Sequence, residues 1–437
     1  MTLGLFADEP IIQSLLDTDT YQTTMANMLH NAGHGCVPVR YAFTNRSRGI
    51  RLADEIPIEV LREQLDHART LRYTPEEIAF ERAQRRDDGS TLYSKSYLNT
   101  LSDYQLPEID ICVAEGHQYK LVLPESGWNW VDGLRWETFF LSIVSELRVK
   151  ALAKRHGITE ETLIREGEHR FLDKRKILKA AKGLPGLEQG VPFMEFGTRR
   201  RPFRKWQEHV IEMLIEYNDA YRFLGTSNEY LAMKYGLKPM GTNSHQGPMG
   251  YSALFPDTEE GLRDSQMAFL DDWYDCYGRN LAVCLPDTFG TPFCLDLMTV
   301  EQARSWKGFR QDSGSPDICA RRILDFYARH GVDPKTKMII FSDGLNVNEL
   351  VRLVSTYAPM FGTVSGGWGT DLIFDFGDAI PIHPGSFVVK LVRANGRDLA
   401  KLSDNPEKAT GPRDRVEHLL KLTRYETLEE NRIKVVV

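Results

Sequence analysis

Residues 308–331 read GFRQDSGSPDICARRILDFYARHG and contain one complete strand–turn–helix unit. The short β-rich run Gly308–Asp312 comes first, and an amphipathic segment follows it after a turn. Ser315 and Pro316 predict the N-cap and the first position of a helix, and Gly331 predicts its end. The segment therefore predicts a strand that leads through a crossover helix to the next strand.

The same unit recurs along the chain from about residue 190. β-rich runs alternate with Gly/Ser/Asp/Asn turns and amphipathic segments, which predicts a parallel sheet with crossover helices. Six parallel strands commonly close as a barrel, and an open doubly wound sheet is the alternative. The predicted strands are Val191–Gly197, Leu237–Thr242, Leu281–Asp287, Gly308–Asp312, Met338–Asp343 and Met360–Ser365.

The two ends of the chain have a different pattern. Helical stretches and isolated strands precede residue 130, and after about residue 375 the sequence becomes strand-like again. Asn395-Gly396 lies between the β-rich runs Phe387–Val392 and Asp398–Leu402, which is a strong hairpin signal. We therefore predict an α/β protein with a TIM-like β/α barrel over residues 131–375 and a second α/β domain built from residues 1–130 and 376–437.

Length and charge limit the classes of function. With 437 residues, the chain exceeds the roughly 250–300 residues at which a single core usually stops growing, so two domains or an enlarged barrel are expected. The formal net charge of −7 disfavours nucleic acid as a partner, because binding to a phosphate backbone needs a basic face. No stretch approaches the run of about 18 apolar residues that a membrane helix needs, so no membrane is expected as a partner.

The N-terminus and the cysteines indicate the compartment. Asp8 and Glu9 lie in an N-terminus without a basic start, which argues against a secretory signal and predicts a cytoplasmic protein. No two of the six cysteines are closer than eight positions, so neither a CxxC motif nor a zinc knuckle is available. Reduced, mostly buried thiols are expected.

Polar side chains repeatedly follow the predicted strands, at the end where barrel enzymes place their sites. An aspartate in such a place is often only a helix N-cap, which is an even alternative for Asp287, Asp312 or Asp343 taken singly. Several such caps on one rim are less expected than a site. The turns are Glu195-Phe196-Gly197-Thr198-Arg199, Gly241-Thr242-Asn243-Ser244-His245, Pro286-Asp287-Thr288, Arg310-Gln311-Asp312-Ser313-Gly314, Phe341-Ser342-Asp343-Gly344 and Ser365-Gly366-Gly367-Trp368-Gly369-Thr370.

His245 is the candidate at the centre of this rim. A lone histidine in a loop is more often a structural residue. Here Asp287 ends the next predicted strand, where a carboxylate would orient the imidazole and raise its nucleophilicity.

Cationic and glycine-rich turns predict binding of a phosphorylated ligand. The run Arg199–Lys205 is short and follows a predicted strand, which favours a small-anion pocket. Arg310 with Asp312 would bracket a sugar by pairing its anion and its hydroxyls. Gly366, Gly367 and Gly369 either make a tight turn or expose N–H groups to a phosphate. Together these residues predict phosphosugar transfer, in which Mg²⁺ and arginine stabilise a leaving pyrophosphate.

At this level of detail the sequence resembles the nicotinate phosphoribosyltransferase family over nearly its whole length. The segments that carry the resemblance are Leu16-Asp17-Thr18-Asp19-Thr20-Tyr21, Glu195-Phe196-Gly197-Thr198-Arg199-Arg200, Gly225-Thr226-Ser227-Asn228, Gly241-Thr242-Asn243-Ser244-His245, Arg310-Gln311-Asp312-Ser313-Gly314, Phe341-Ser342-Asp343 and Lys401-Leu402-Ser403-Asp404. The family implies an irregular β/α barrel joined to an α/β domain. It also implies a head-to-tail homodimer with shared active sites.

The resemblance further implies roles for individual residues around the base. Asp19 and Tyr21 would reach the site of the partner subunit, and Tyr21 and Phe196 would stack on the two faces of a pyridine. Ser227 stands where relatives that use nicotinamide carry an aspartate, so the pocket would suit the nicotinate anion. The plainer alternative is that Ser227 belongs only to the first turn of a helix.

The remaining implied roles concern phosphate, ribose and ATP. Arg199 and Arg310 would bind phosphate and the substrate anion, and Asp312 would bind the ribose hydroxyls. His245 would accept a phosphoryl group from ATP, with Asp287 as its orienting partner, and the resulting phosphohistidine would drive the reaction of nicotinate with phosphoribosyl pyrophosphate in NAD salvage. The turn that would bind the 5′-phosphate consists of Gly366, Gly367, Gly369 and Thr370.

Two other functions remain open at this point. One is a degenerate barrel that binds a nucleotide or sugar phosphate without catalysis, which would be expected to have lost some of the rim residues. The other is a quinolinate-using relative, which would release CO₂ without ATP and would usually be a much shorter chain.

Overall fold

The computed structural model of the chain describes residues 2–47 and 49–425. These residues form three sheets, one of six strands, one of four and one of two. The strands are β1 Pro38–Asn45, β2 Asp110–Ala114, β3 Gln118–Val122, β4 Trp128–Asn129, β5 Pro192–Glu195, β6 Arg222–Thr226, β7 Val283–Cys284, β8 Gly308–Gln311, β9 Met338–Phe341, β10 Thr363–Trp368, β11 Phe387–Ala394 and β12 Arg397–Asp398.

The helix predicted in residues 308–331 is present and is capped as its sequence indicates. The Ser315 side chain accepts a hydrogen bond from the Ile318 N–H, Pro316 is the first helical residue, and Gly331 follows the helix with φ of +61°. The α-helices of the described residues are α1 Thr20–Asn31, α2 Leu52–Glu55, α3 Ile58–Thr70, α4 Pro75–Ala83, α5 Lys95–Thr100, α6 Trp130–Gly133, α7 Trp136–His156, α8 Glu160–Ala181, α9 Arg204–Glu216, α10 Glu229–Tyr235, α11 Gln246–Ser252, α12 Glu259–Tyr277, α13 Thr291–Leu297, α14 Val300–Ser305, α15 Pro316–Arg329, α16 Val347–Tyr357, α17 Thr370–Ile373 and α18 Arg413–Leu422.

The six-stranded sheet is parallel and has the order β6-β5-β10-β9-β8-β7. Its strands are largely buried, as expected for a parallel sheet that helices cover. Five of the six predicted strands correspond to β5, β7, β8, β9 and β10. The α/β class and the parallel sheet are therefore confirmed.

The prediction of a strand at Leu237–Thr242 is wrong, because only an isolated parallel bridge joins Pro239 to Thr226. Pro239 has no N–H to donate to a ladder, so the segment cannot pair continuously with its neighbour. Single hydrogen bonds span the gap between β6 and β7: the Met240 N–H donates to Thr226 O at 2.8 Å, and Asn243 Nδ2 donates to Val283 O at 3.4 Å. The barrel is irregular at this point.

Strand β6 itself was not predicted. It is short, and it contains Gly225 with φ of +139°. A side chain at this position would also collide with the Lys238 carbonyl oxygen, so both the backbone conformation and the close approach favour glycine. The N-cap of the following helix is Asn228, whose side chain accepts from the Leu231 N–H.

The four-stranded sheet is antiparallel and joins the two ends of the chain. β1 from the N-terminal part pairs with β11 from the C-terminal part, with Tyr41 opposite Leu391. The predicted hairpin at Asn395-Gly396 is confirmed, because both residues have positive φ and connect β11 to β12. The domain limits at residues 130 and 375 stay a prediction, and residues 426–437 of the second domain lie outside the described residues.

Helix α7 connects the two sheets. It is buried along most of its length and contacts both β11 and the turn Thr198–Arg200 at the rim of the parallel sheet. Glu137 in its first turn is thereby placed between the two sheets. Across the described part of the chain, no helix is long and apolar enough to cross a membrane.

Candidate active site

A cavity of about 540 Å³ lies between the carboxyl-terminal rim of the parallel sheet and strand β11. Lys390 and Val388 of β11 face it from one side, and the turns after β5 and β8 face it from the other. The predicted site residues that line the cavity are Asp19, Tyr21, Phe196, Arg199, Ser227, His245, Arg310, Asp312, Gly367, Gly369 and Thr370.

Gly366 and Asp287 do not line this cavity. A Cβ atom on Gly366 would lie 2.3 Å from Leu350 Cδ1, so this glycine permits close packing of β10 on α16. The structure gives Gly366 a packing role, and its assignment to the phosphate-binding surface stays a prediction. A Cβ atom on Gly367 would lie 2.5 Å from the Phe196 ring, so Gly367 makes room for that ring beside the cavity.

His245 is buried at the cavity wall, with both ring nitrogens engaged. Nδ1 lies 3.0 Å from the Thr288 hydroxyl. Nε2 lies 3.0 Å from Asp312 Oδ2 and 2.9 Å from Lys401 Nζ. Ser342 donates to the other oxygen of Asp312 at 2.9 Å, which fixes this carboxylate against the imidazole. Phosphoryl acceptance at Nε2 would require displacing these two contacts.

The expected contact between Asp287 and His245 is replaced by a contact with Asp312. Asp287 Oδ1 lies 3.9 Å from Nε2, outside hydrogen-bond distance, whereas Asp287 Oδ2 lies 3.1 Å from Lys401 Nζ and accepts from the Ser313 hydroxyl. Asp287 therefore acts on the ring through Lys401. Sequence reasoning chose Asp287 because it ends a neighbouring strand, but the loop turns its side chain behind the ring.

Burial and Lys401 set the protonation state of His245. Burial and the Lys401 charge lower the pKa of His245 to about 4, against the opposing effect of Asp287 and Asp312. Burial alone would raise the pKa of Asp312, but the hydrogen bond to His245 and the Arg310 charge hold it well below its usual range. At neutral pH the imidazole is therefore neutral and the carboxylate ionised, which suits a nucleophilic nitrogen beside an anchored anion.

His245, Asp287 and Asp312 bring ligand atoms within 4.8 Å of one another, a spacing that a metal ion would accept. The Lys401 ammonium group lies between the first two, at hydrogen-bond distance from both. A fixed cation thus stands where a divalent ion would have to bind. Lys401 is therefore part of the cluster, although the sequence did not indicate a role for it.

For the phosphorylation of His245 that the sequence leads us to expect, Lys401→Met should move the acid limb of the reaction to higher pH. Without the ammonium charge, the remaining carboxylates favour the imidazolium, so the pKa of His245 rises from about 4 and the neutral form is lost earlier as the pH falls. The measurement is the rate of phosphoenzyme formation between about pH 4 and pH 8. Lys401→Arg keeps the charge and serves as the control, and an unchanged limb in Lys401→Met would contradict the assignment.

The second end of the cavity holds Asp19, Tyr21 and Arg199. Asp19 Oδ2 lies 3.3 Å from Arg199 Nε, and Arg199 Cζ lies 5.6 Å from the centre of the Tyr21 ring. Ser227 donates to Asp19 Oδ1 at 2.7 Å. Glu137 lies 3.1 Å from the Arg199 guanidinium. The cavity therefore offers an aromatic face, a cation and a hydroxyl in one place.

Asp19 and Tyr21 line the cavity of their own chain, and their expected contribution to the site of a partner subunit stays a prediction. A bridge joins Asp19 to Asn228, and the Thr20 N–H donates to Ser227 O at 2.7 Å. These bonds hold the start of α1 against the turn after β6. The dimer itself stays a prediction.

The basic run 199–205 divides between the cavity and the core. Arg199 and Arg200 line the cavity, whereas Arg201 is fully buried and binds Asp17 through two hydrogen bonds of 2.6 and 2.7 Å. Arg204 and Lys205 contact Glu9. The predicted anion pocket therefore contains the first two residues of the run.

Sequence reasoning missed several charged residues that face the cavity, because they come from the antiparallel part and from helix α7. Lys408 pairs with Asp343 across the mouth of the cavity. The KLSD segment that begins at Lys401 was the one signal in the sequence that pointed to this side. The missed residues are Arg46, Glu137, Lys390, Lys401 and Lys408.

The rim of the parallel β/α sheet carries a neutral histidine and paired carboxylates, and it borders a cavity lined by cations. These features are those of a barrel enzyme that acts on an anionic substrate. Residues 191–428 match the nicotinate phosphoribosyltransferase (NAPRTase) family, and residues 16–145 match the N-terminal domain of that family. The chain belongs to the nicotinate phosphoribosyltransferase family. It is an enzyme, so the alternative of a non-catalytic barrel is not retained.

Solved structures of the same fold support this assignment. The structure of nicotinate phosphoribosyltransferase from Vibrio cholerae superposes with a TM-score of 0.84 at 28% identity, covering 98% of this chain and 97% of that one. The enzyme of the same name from Porphyromonas gingivalis has a TM-score of 0.80 at 24% identity, covering 95% and 100% of the two chains. The second similarity concerns the fold alone.

Proposed function

We propose that this enzyme transfers the phosphoribosyl group of phosphoribosyl pyrophosphate to nicotinate, giving nicotinate mononucleotide and pyrophosphate for NAD salvage. The C1′–oxygen bond to pyrophosphate breaks, and a bond from C1′ to the pyridine nitrogen forms. The observation that carries the proposal is one cavity that joins the aromatic and cationic end at Tyr21 and Arg199 to the His245–Asp312 cluster. We further propose that it acts in the cytoplasm as a homodimer.

The cation distribution supports binding of two anions. Arg46, Arg200, Lys390 and Lys408 face the same cavity as Arg310, so a phosphate and a pyrophosphate would each meet fixed positive charge. Asp312 stands between this charge and His245 and would meet the ribose, where it stabilises the positive charge that develops at C1′.

ATP coupling through His245 is the second part of the proposal. Its support is the neutral, oriented imidazole: a pKa of about 4 leaves one ring nitrogen unprotonated at neutral pH, and contacts with Thr288 and Asp312 orient the ring. Asp312 and Asp343 are two of the carboxylates at the cavity wall and would hold Mg²⁺, a hard cation that prefers oxygen ligands, once Lys408 releases Asp343. Bound there, the ion would supply charge to the phosphates.

A steady-state assay of the purified protein with nicotinate and with nicotinamide tests the substrate. We expect turnover of nicotinate, with product formation stimulated by ATP. Turnover of nicotinamide without turnover of nicotinate would overturn the proposed specificity. Pyrophosphate release that depends on the base distinguishes the transfer from simple hydrolysis of the sugar phosphate.

Ser227→Asp is expected to raise the KM for nicotinate by on the order of tenfold or more, since a like charge beside a bound anion costs at least about 1.4 kcal/mol. The new carboxylate would also face Asp19, whose pKa burial already raises, in place of the hydrogen bond that Ser227 donates. Ser227→Ala removes that bond without adding charge and is the matched control. Equal KM values for the two variants would show that charge at this position does not select the substrate.

A further inference from the structure

Cys284 and Cys294 come together beneath the loop that supports the active site. Their sulfur atoms lie 3.6 Å apart, although the residues are ten positions apart in the sequence. Cys284 ends strand β7 and is buried, whereas Cys294 lies in α13 and is partly exposed. The pair therefore combines a sulfur that an oxidant can reach with a second, protected sulfur in van der Waals contact.

The loop between these cysteines holds the residues that surround His245. Thr288 contacts the imidazole through its hydroxyl, and its carbonyl oxygen accepts from the Leu402 N–H at 2.9 Å. Asp287 contacts Lys401. Both supports of the His245 cluster thus lie within the segment that a bond between Cys284 and Cys294 would close.

The surroundings leave room for the sulfur atoms to move. A cavity of about 20 Å³ is bounded by both cysteines and by apolar neighbours that include Phe289 and Phe293. A disulfide bond is about 2.05 Å long, so the sulfur atoms must approach by about 1.5 Å. Thr288 borders this cavity and also contacts His245 through its hydroxyl, so a shift of the loop into the cavity would be transmitted to the histidine.

We propose that Cys284 and Cys294 form a reversible disulfide that switches the enzyme to a less active state when a hydroperoxide is present. The Cys294 thiolate attacks the peroxide, the O–O bond breaks, and a sulfenic acid and water form. The Cys284 thiol then attacks that sulfur, the S–S bond forms, and a second water leaves, so two thiols and one hydrogen peroxide give one disulfide and two waters. A thiol reductant reverses the reaction by exchange.

The order of the two steps follows from exposure. Cys294 is the accessible sulfur, whereas the hydrogen bond with Cys294 and burial raise the pKa of the Cys284 thiol. Cys284 therefore stays protonated until its neighbour is oxidised, which is the role of a resolving cysteine. Transient disulfides of this kind are the ones that reducing compartments tolerate.

The sequence around the two cysteines allows the disulfide to be detected directly in a single peptide. Lysine and arginine do not occur between Asn280 and Ala303, so trypsin releases both cysteines in the single peptide 280–304. The intact enzyme is treated with hydrogen peroxide, alkylated in denaturant and digested. We expect this peptide to lose two hydrogens and to resist alkylation, and to become doubly alkylated after dithiothreitol.

Activity is measured on the same samples. We expect oxidation to lower the nicotinate-dependent rate by on the order of tenfold and dithiothreitol to restore it, since small displacements near a reacting group have effects of this size. Cys294→Ser should keep its activity under peroxide, and Cys276→Ser, a partly exposed cysteine on α12, should behave as the wild type. A doubly alkylated peptide 280–304 after peroxide treatment, or equal inhibition of Cys294→Ser, would overturn the proposal.

Discussion

Replacing His245 with asparagine is expected to abolish acid-labile labelling of the enzyme by γ-labelled ATP and to lower coupled ATP hydrolysis by on the order of a thousandfold or more. In the proposed coupling the imidazole is the nucleophile, and its surroundings suit that role: its pKa is lowered to about 4, so it is neutral, and Thr288 contacts Nδ1. Asparagine approximates the shape of the ring but offers no nucleophilic nitrogen.

The same variant separates coupling from transfer. Tyr21, Phe196 and Arg310 remain in place, so ribosylation of nicotinate should continue slowly and lose its stimulation by ATP. His209→Asn is the matched control, because that buried histidine on α9 contacts Glu168 at 2.8 Å and is remote from the cavity. Acid-labile label that persists in His245→Asn would assign the phosphoryl group to another residue.

Replacing Arg201 with methionine is expected to lower the free energy of unfolding by about 3–5 kcal/mol, because Asp17 would stay buried as an unpaired charge. The two side chains are among the least exposed charged groups, at 0% and 2%, and share two short hydrogen bonds. Asn228, which also donates to Asp17 at 2.8 Å, cannot neutralise the carboxylate.

Chemical denaturation of the Arg201 variant measures this effect. Arg200→Met changes the neighbouring residue, which faces the cavity, and should lower the free energy of unfolding by no more than about 1 kcal/mol. The double variant Arg201→Met with Asp17→Leu removes both charges and should recover much of the loss. A loss below about 1 kcal/mol for Arg201→Met alone would mean that the pair does not stabilise the fold.

The parallel sheet could be predicted because its signals are local. The helix of residues 316–329 begins at Ser315 with proline next to it and ends before a glycine, so propensity, capping and hydrophobic period agree. The strands Gly308–Gln311 and Met338–Phe341 were also predicted from local signals, since each is a short β-rich run followed by a polar turn. The antiparallel sheet was recognisable at the Asn395-Gly396 hairpin for a similar reason.

The predictions that failed concern contacts between residues that are distant from each other in the sequence. The predicted strand at Pro239 does not form, since proline has no N–H for the ladder. Its neighbour would have been β6, a strand that was not recognised in the sequence. Asp287 and Asp312 both follow predicted strands, and only the three-dimensional path of each loop decides which of them meets His245. Lys401 lies more than 150 residues from His245 in the sequence, and no periodic pattern around it indicates that it reaches the site.

The gap beside β6 has a mechanical consequence. A strand that is paired on both sides can shift only if many of its hydrogen bonds to the neighbouring strands break together. The segment before His245 is held instead by separate hydrogen bonds. Met240 and Asn243 donate to carbonyl oxygens of the neighbouring strands, and the carbonyl oxygens of Thr242 and Asn243 accept from the Thr24 hydroxyl and from Arg310. The rim is therefore stiff where strands pair and compliant next to the histidine. If His245 carries a phosphoryl group as proposed, this segment can adjust by breaking a few separate hydrogen bonds, while the paired strands keep their positions.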